Sequence, residues 1–291
     1  MKKFRRTMLF MPGNNPGMLQ SATVFGADSI ILDLEDAVSI SEKDSARILV
    51  RDAIKNLDYS SVEVIVRINA ITTEFALEDI DVIGKVKPDG LMIPKATEKD
   101  MEMVDAILTS IEEKKCFPKN CIKLIPIVES AYGLENVYKI IKSSKRTVAV
   151  LLGGEDLTAD MGIKRTKEGN EIFYARNKVA VACKASRVDC VDTPFTDVND
   201  KEGLIKDTIL AKSLGVTGKA AINPRQVNDI NEVFAPSIEE IRYAKRVLKG
   251  VEEAEKEGKG VFAIDGKMVD APVINRAKTV MEIANLLGLC H

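Results

Sequence analysis

Histidine is almost missing from the 291-residue chain: the only one is the last residue, His291. That removes the chemistries that need an imidazole inside a fold, namely Ser-His-Asp triads, Cys-His pairs and His-ligated zinc. Acid–base work then falls to Asp, Glu, Lys, Tyr or water, and any metal would be a hard cation held by oxygen. Tryptophan is absent and aromatics make up 5%, so Leu, Ile, Val, Ala and Met must fill the core that a 45% hydrophobic composition supports. Cys116, Cys121, Cys183, Cys190 and Cys290 are odd in number and form no close metal-type pair. They read as free thiols in a reducing cytoplasm. Long hydrophobic runs are lacking too. No stretch approaches membrane-spanning length, and Met1-Lys2-Lys3-Phe4-Arg5-Arg6 leads into a short strand rather than a signal-peptide core. Nor is there an excess of charge, since 42 basic against 44 acidic residues leave a net −2. The expectation is a cytoplasmic protein with neither nucleic acid nor membrane as partner.

What the chain does have is a repeated alternation. Short apolar runs begin at Thr7, Ser29, Val62, Leu91, Ile122, Val148, Val188 and Lys219 and read as strands. Each is followed by an amphipathic stretch, near 15–25, 42–56, 76–83, 98–114, 131–143, 170–186, 200–214 and 224–233. The strands are nearly continuous apolar runs, as expected when helices cover one face and a packed interior the other. Eight such units predict an α/β fold, a (β/α)8 TIM barrel over residues 1–235. A doubly wound sheet is the competitor, but it would announce a Gly-rich phosphate turn after its first strand, and none is present. Beyond Pro236 the pattern changes. Residues 236–291 predict a helix over Ile238–Glu257, a hairpin around the Asp265-Gly266 turn, and a last helix over Pro272–Leu287. This C-terminal helical/hairpin extension exceeds what a barrel needs. It is expected to pack on its own barrel or on a neighbouring subunit, which favours a homo-oligomer.

In a barrel the carboxyl ends of the strands surround one site. Strand two ends in Asp33-Leu34-Glu35-Asp36, three in Arg67-Ile68-Asn69, four in Pro94-Lys95, five in Glu129-Ser130 and six in Gly153-Gly154-Glu155-Asp156. Any one of these charges is explained by a helix cap or an ion pair. Five consecutive strands ending in ionisable groups are harder to dismiss. Glu129 and Asp156 end neighbouring strands, about 5 Å apart in backbone, and would repel unless a proton or cation lay between them. Mg²⁺ suits such a pair, leaving positions for water and substrate oxygens; an acid pair bridged by Lys95 or Arg67 is the alternative. Arg67 would bind a substrate carboxylate through its planar fork. Lys95 reads as an electrostatic substrate contact in preference to a Schiff-base nucleophile, because so many nearby acids keep its ammonium charged.

Several segments carry a resemblance. Arg5-Arg6-Thr7-Met8-Leu9-Phe10-Met11-Pro12-Gly13-Asn14-Asn15-Pro16-Gly17-Met18, Leu32-Asp33-Leu34-Glu35-Asp36-Ala37-Val38, Asp192-Thr193-Pro194-Phe195-Thr196-Asp197, Ile222-Asn223-Pro224-Arg225-Gln226 and Gly266-Lys267-Met268-Val269-Asp270-Ala271-Pro272 resemble the citrate lyase β-subunit family. The likeness spans essentially the whole chain, and the Leu-Asp-Leu-Glu-Asp element is shared with malyl-CoA lyases and related thioester lyases. The resemblance implies that Arg67 binds substrate carboxylate, that Glu129 and Asp156 bind Mg²⁺, and that Glu129 also lies near substrate. Between Glu155 and Asp156 only the resemblance decides. Asp270 matches an acid that related lyases present to a neighbouring subunit's site; on sequence alone a helix cap before Pro272 explains it equally well.

The implied reaction is cleavage of a citryl thioester into oxaloacetate and an acetyl thioester, with an acyl-carrier subunit and an acyl-transferase subunit as partners. Either Glu35 or Asp270 would be the general base that takes the tertiary hydroxyl proton. Three other readings are weighed. A stand-alone malyl-CoA-type lyase would differ in substrate, a metal-dependent 2-keto acid aldolase would be expected to carry a site histidine, and a non-catalytic scaffold subunit would not need the full set of acids and Arg67.

Overall fold

The structure, a computed structural model, describes residues 4–256, 262–264 and 267–290. Eight parallel strands close into a barrel in sequence order: β1 (Thr7–Pro12), β2 (Ser29–Asp33), β3 (Glu63–Arg67), β4 (Gly90–Ile93), β5 (Lys123–Val128), β6 (Ala149–Leu152), β7 (Asp189–Asp192) and β8 (Gly218–Ala221). Closure is made where Thr7 and Leu9 of β1 stand opposite Lys219 and Ala221 of β8. The expected (β/α)8 architecture is the one observed. Its cause is visible in the burial: Met8, Ile31, Ile65, Met92, Ile127 and Leu151 pack the interior. Their strand neighbours Leu9, Ile30, Leu32, Val66, Leu91 and Val150 are equally buried on the outer face. With both faces covered, the middles of these strands read as apolar runs rather than as a polar–apolar alternation.

The surrounding helices are α1 (Pro16–Gln20), α2 (Lys43–Asn56), α3 (Ala76–Gly84), α4 (Glu98–Lys114), α5 (Ala131–Lys142), α6 (Gly154–Asp160), α7 (Phe173–Ser186), α8 (Lys201–Ser213) and α9 (Val227–Phe234). Two places depart from expectation. The first helix is not one element over 15–25. It breaks after Gln20 and continues as a 3₁₀ turn, Ala22–Phe25, which Gly26 ends in the left-handed region at φ 73°. The segment after β6 carries a short helix, α6, ahead of the amphipathic stretch expected near 170–186.

Charges at the opposite, amino-terminal ends of the strands are paired. Arg5 forks onto Glu63 at 2.8 and 2.7 Å and reaches Asp189 at 2.7 Å. Arg146, fully buried, grips Glu112 at 2.6 and 2.8 Å and Asp105 at 2.6 Å. Burial pushes the Glu112 carboxyl up, but Arg146 and the N–H groups of Ile122 and Asn120 outweigh it and hold it at about 2. A depressed carboxylate stabilises fully above its ordinary value of 4.5 and loses that contribution as pH falls through about 2. Glu112→Gln should therefore lower the unfolding free energy at neutral pH by about 3 kcal/mol, since it strands a buried guanidinium. Circular-dichroism melts should also show the variant losing less melting temperature than the parent between pH 4.5 and 2.

The chain divides into two compact units, Met1–Asn231 and Glu232–His291. The second contains α10 (Ile238–Lys256), the antiparallel strands β9 (Phe262–Ile264) and β10 (Lys267–Val269), and α11 (Ala271–Leu286). Ala244 and Val247 of α10 pack with Val269 and with Ala277 of α11 in a core of their own. The expected Asp265-Gly266 turn and His291 lie outside the described residues. No helix among the described residues is long and apolar enough to cross a membrane.

Candidate active site

Strand parity builds the site. Asp33 stands two residues beyond the interior Ile31, Arg67 two beyond Ile65, Glu129 two beyond Ile127, Gly153 two beyond Leu151 and Thr193 two beyond Val191. Each therefore faces inward one pleat above the apolar layer. Together they line a cavity of about 410 Å³ at the carboxyl ends of the strands, joined by Asp36, Glu155 and Asp156.

Arg67 is held from three sides. Asp33 and Arg67 are register partners on β2 and β3, and Nε and Nη2 donate to the two Asp33 oxygens at 2.7 and 2.6 Å. The Phe10 ring backs the guanidinium at 4.9 Å. Nη1 stands 3.0 Å from Glu35 Oε2 and 3.2 Å from Asp36 Oδ2. The side-on fork that sequence reasoning reserved for substrate thus meets Asp33. A ligand carboxylate would meet the end-on edge, Nη1 and Nη2, instead.

Asp33 also folds the loop that follows it, accepting from the backbone N–H of Glu35 at 2.9 Å and of Ala37 at 3.1 Å. The buried Glu35 is raised to about 8 by burial, against the pull of Arg67 and with a further push from Asp36 and Glu129. Such a carboxyl exchanges its proton near neutral pH, which suits a general base or acid.

Glu129, 5% exposed, accepts the Lys95 backbone N–H through Oε1 at 2.6 Å. Burial and then Asp156 push it up to about 7, against the Lys95 N–H and Arg67. Lys95 contributes this peptide group from the left-handed region, at φ 49°. Lys95 itself is exposed, and among the described residues the cavity wall does not include it. Asp156 lies half-buried in the first turn of α6, so a helix rather than a strand end carries it.

Glycine keeps room beside Glu129 and Thr193. A Cβ on Gly153 would stand 2.6 Å from Glu129 Cβ and 2.7 Å from Oε2, and one on Gly154 would stand 2.9 Å from Thr193 Oγ1. Glu129, whose ionisation Asp156 opposes, and Asp156 itself, with open room beside Glu129, are a donor set for a hard divalent cation that keeps most of its ligands as water or substrate. Among the described residues no group of three or more His, Cys, Asp or Glu assembles a fuller metal cage. Gly153→Ala should displace the Glu129 carboxylate. The expected result is a metal affinity, read by calorimetry, weakened about 10- to 100-fold in a chain that still folds.

Asp270 belongs to the second unit. It caps α11, its Oδ1 accepting the Val273 N–H at 3.2 Å, and it is exposed. Sequence reasoning assigned no role to Phe10, Thr193 or Asp33. The available signal was parity: each falls on the inward register of its strand, Phe10 against the interior and the other two one step above it.

The HpcH/HpaI aldolase/citrate lyase family pattern matches residues 6–224, from the start of the barrel to just past its last strand. The chain belongs to this family. Its sequence is 43% identical over 285 residues to the citrate lyase subunit beta of Leuconostoc mesenteroides subsp. cremoris, covering 98% of this chain and 94% of that one. Its fold matches a CitE protein from Mycobacterium tuberculosis in complex with magnesium, acetoacetate and coenzyme A, with a TM-score of 0.80, 28% identity, and coverage of 98% and 100%. A citrate lyase beta subunit complexed with oxaloacetate and magnesium, from the same organism, matches at a TM-score of 0.67 with 28% identity, covering 79% of this chain and 97% of that one. The resemblance read from the five sequence segments is borne out. Family membership makes the chain a relative of carbon–carbon lyases.

Proposed function

We propose that this chain is the carbon–carbon lyase of a citrate lyase, cleaving a citryl thioester to oxaloacetate and an acetyl thioester with Mg²⁺ held by Glu129 and Asp156. The observation that carries the reading is the meeting, in one cavity, of Asp156, a buried Glu129 whose ionisation Asp156 opposes, and a single tightly held guanidinium. When bound there, magnesium would lower the pKa of the substrate's tertiary alcohol and offset the negative charge of the oxaloacetate half.

The chain's own residues do the rest. Arg67 would hold the oxaloacetate carboxylate on its end-on edge, replacing its contacts with Glu35 and Asp36, while Asp33 and Phe10 keep the guanidinium plane fixed. Glu35 would take the hydroxyl proton as general base. As the ketone forms, the bonding pair passes into the thioester enolate, which then collects a proton. Asp270, presented from a second copy in a homo-oligomer, is the alternative base. Lys95 serves through its peptide N–H, which occupies Glu129 Oε1, so that Oε2 would be the oxygen free to hold the cation. The acyl group would arrive on an acyl-carrier subunit after an acyl-transferase subunit has loaded it, or on coenzyme A.

The test is oxaloacetate release by the purified chain from citryl-CoA, with Mg²⁺ and then with EDTA, with malyl-CoA in parallel. Release that stops on chelation supports both the reaction and the metal. A second reading, a stand-alone CoA-thioester lyase, is favoured by the likeness to the coenzyme A complex. Glyoxylate from malyl-CoA with no cleavage of citryl-CoA would select it. Inactivity toward both CoA esters and toward a citryl-loaded carrier protein would overturn the catalytic reading in favour of a scaffold.

A further inference from the structure

Lys43 opens α2, is 7% exposed, and touches no substrate group in the site just described. Its ammonium donates to Leu34 O at 2.8 Å and to Glu35 O at 2.7 Å. Those carbonyls belong to the two peptide groups on either side of the Glu35 Cα. The Glu35 N–H is already tied to Asp33 at 2.9 Å. Glu35 O also accepts the Val38 N–H at 3.0 Å, so four hydrogen bonds, two of them from Lys43, fix this backbone and with it the direction in which the Glu35 side chain meets Arg67.

Burying an ammonium is costly, and it is tolerated most readily when an acid pairs with it. Among the described residues no carboxylate oxygen does so within ion-pair distance; both acceptors are carbonyls. One turn further along α2, Arg47 bonds Asp79 at 2.7 Å. Asp79 in turn receives the backbone and side-chain N–H groups of Asn69 at 2.9 and 2.7 Å. The same helix therefore grips the loop after β2 through Lys43 and the loop after β3 through Arg47. The first of these loops carries Glu35, and the second begins directly after Arg67, the last residue of β3.

We infer that Lys43 is a positioning residue for the lyase reaction: from behind the cavity it fixes the Glu35 backbone, so that the side chain rests beside Arg67 without substrate and is aimed at the substrate hydroxyl when the substrate carboxylate takes its place on Arg67. The inference rests on the proposed roles of Glu35 and Arg67. Lys43→Met should fold and lower kcat on citryl-CoA at least about tenfold, the scale of a small misplacement of a catalytic group. The KM and the half-saturating Mg²⁺ concentration should each stay within about threefold of the parent, because the Asp33 fork still holds Arg67 and the carboxylate pair is not touched. Lys43→Arg, which keeps donors at a similar reach, should recover kcat to within about threefold of the parent.

A Lys43→Met enzyme with parental kcat overturns the inference. So does an equal loss in Lys43→Met and Lys43→Arg accompanied by a lowered melting temperature, which marks a structural prop only. Should Lys43→Met fail to fold, Lys43→Gln is measured against the same thresholds. A crystal structure of the variant decides independently of activity. Glu35 still against Arg67 overturns the inference, and Glu35 swung away from it supports the inference. An inactive parent chain sinks the functional reading instead, and leaves that structural comparison to decide the role of Lys43.

Discussion

Asp156→Ala should remove magnesium-dependent turnover, a fall of at least about 10³-fold in kcat/KM, in a chain whose melting curve is little changed. Asp156 sits half-buried in the first turn of α6, outside the packed interior, so no cavity opens when it is cut back. The substitution also relieves Glu129. Asp156 is the second largest cause, after burial, that pushes the Glu129 carboxyl up to about 7, and without it Glu129 ionises at lower pH. A variant with a better-ionised Glu129 and no turnover would show that two carboxylates must act together on one cation. Titration of the parent gives the complementary sign. Binding Mg²⁺ must release the Glu129 proton below about 7. The apparent affinity should therefore climb about tenfold for each pH unit up to that value and flatten above it. In Asp156→Ala the residual affinity should reach its plateau at lower pH. Calorimetry at several pH values measures both, and turnover that survives in Asp156→Ala with ample Mg²⁺ would remove the metal assignment.

The barrel was legible because strands buried on both faces leave an unmistakable apolar run, and because the interval between runs matched a strand and a helix eight times over. Of the candidate site, the sequence showed which residues stand at or just past the carboxyl ends of β2, β3, β5 and β6, and Arg67, Glu129 and Asp156 line one cavity there. What the linear sequence concealed was pairing across strands. That Asp33 takes the fork of Arg67 depends on the β2–β3 register, which places the two residues side by side. That Lys95 gives its peptide and not its ammonium depends on a left-handed residue that no composition rule announces. At Gly153-Gly154 the close approach is to Glu129 and Thr193, which the linear sequence does not show. The helix that begins there was missed, because seven residues are too few to show a period. Lys43 lay in an amphipathic stretch and looked like any solvated lysine. Only the fold turns it inward.

Arg67→Lys should lose about 10²-fold or more in kcat/KM, although the charge is retained. The guanidinium makes two sets of contacts at once: a side-on pair to Asp33 at 2.7 and 2.6 Å, and an end-on edge whose Nη1 lies 3.0 Å from Glu35. A lysine ammonium is a single point. It can answer Asp33 or a substrate carboxylate, but it cannot hold the first while presenting a planar edge to the second. The loss should fall on both KM and kcat, since the substrate is bound less well and is no longer aligned with the breaking bond. Arg67→Gln adds a second signature. Burial raises Glu35 to about 8 with Arg67 as the main opposing influence, so removing the cation lets that carboxyl climb further. If Glu35 is the base, it must be ionised to work, and the acid limb of the kcat profile should move to higher pH in Arg67→Gln while remaining near its parental position in Arg67→Lys. An acid limb that stays in place in both variants, with activity still measurable, would take the proton transfer away from Glu35 and give it to Asp270.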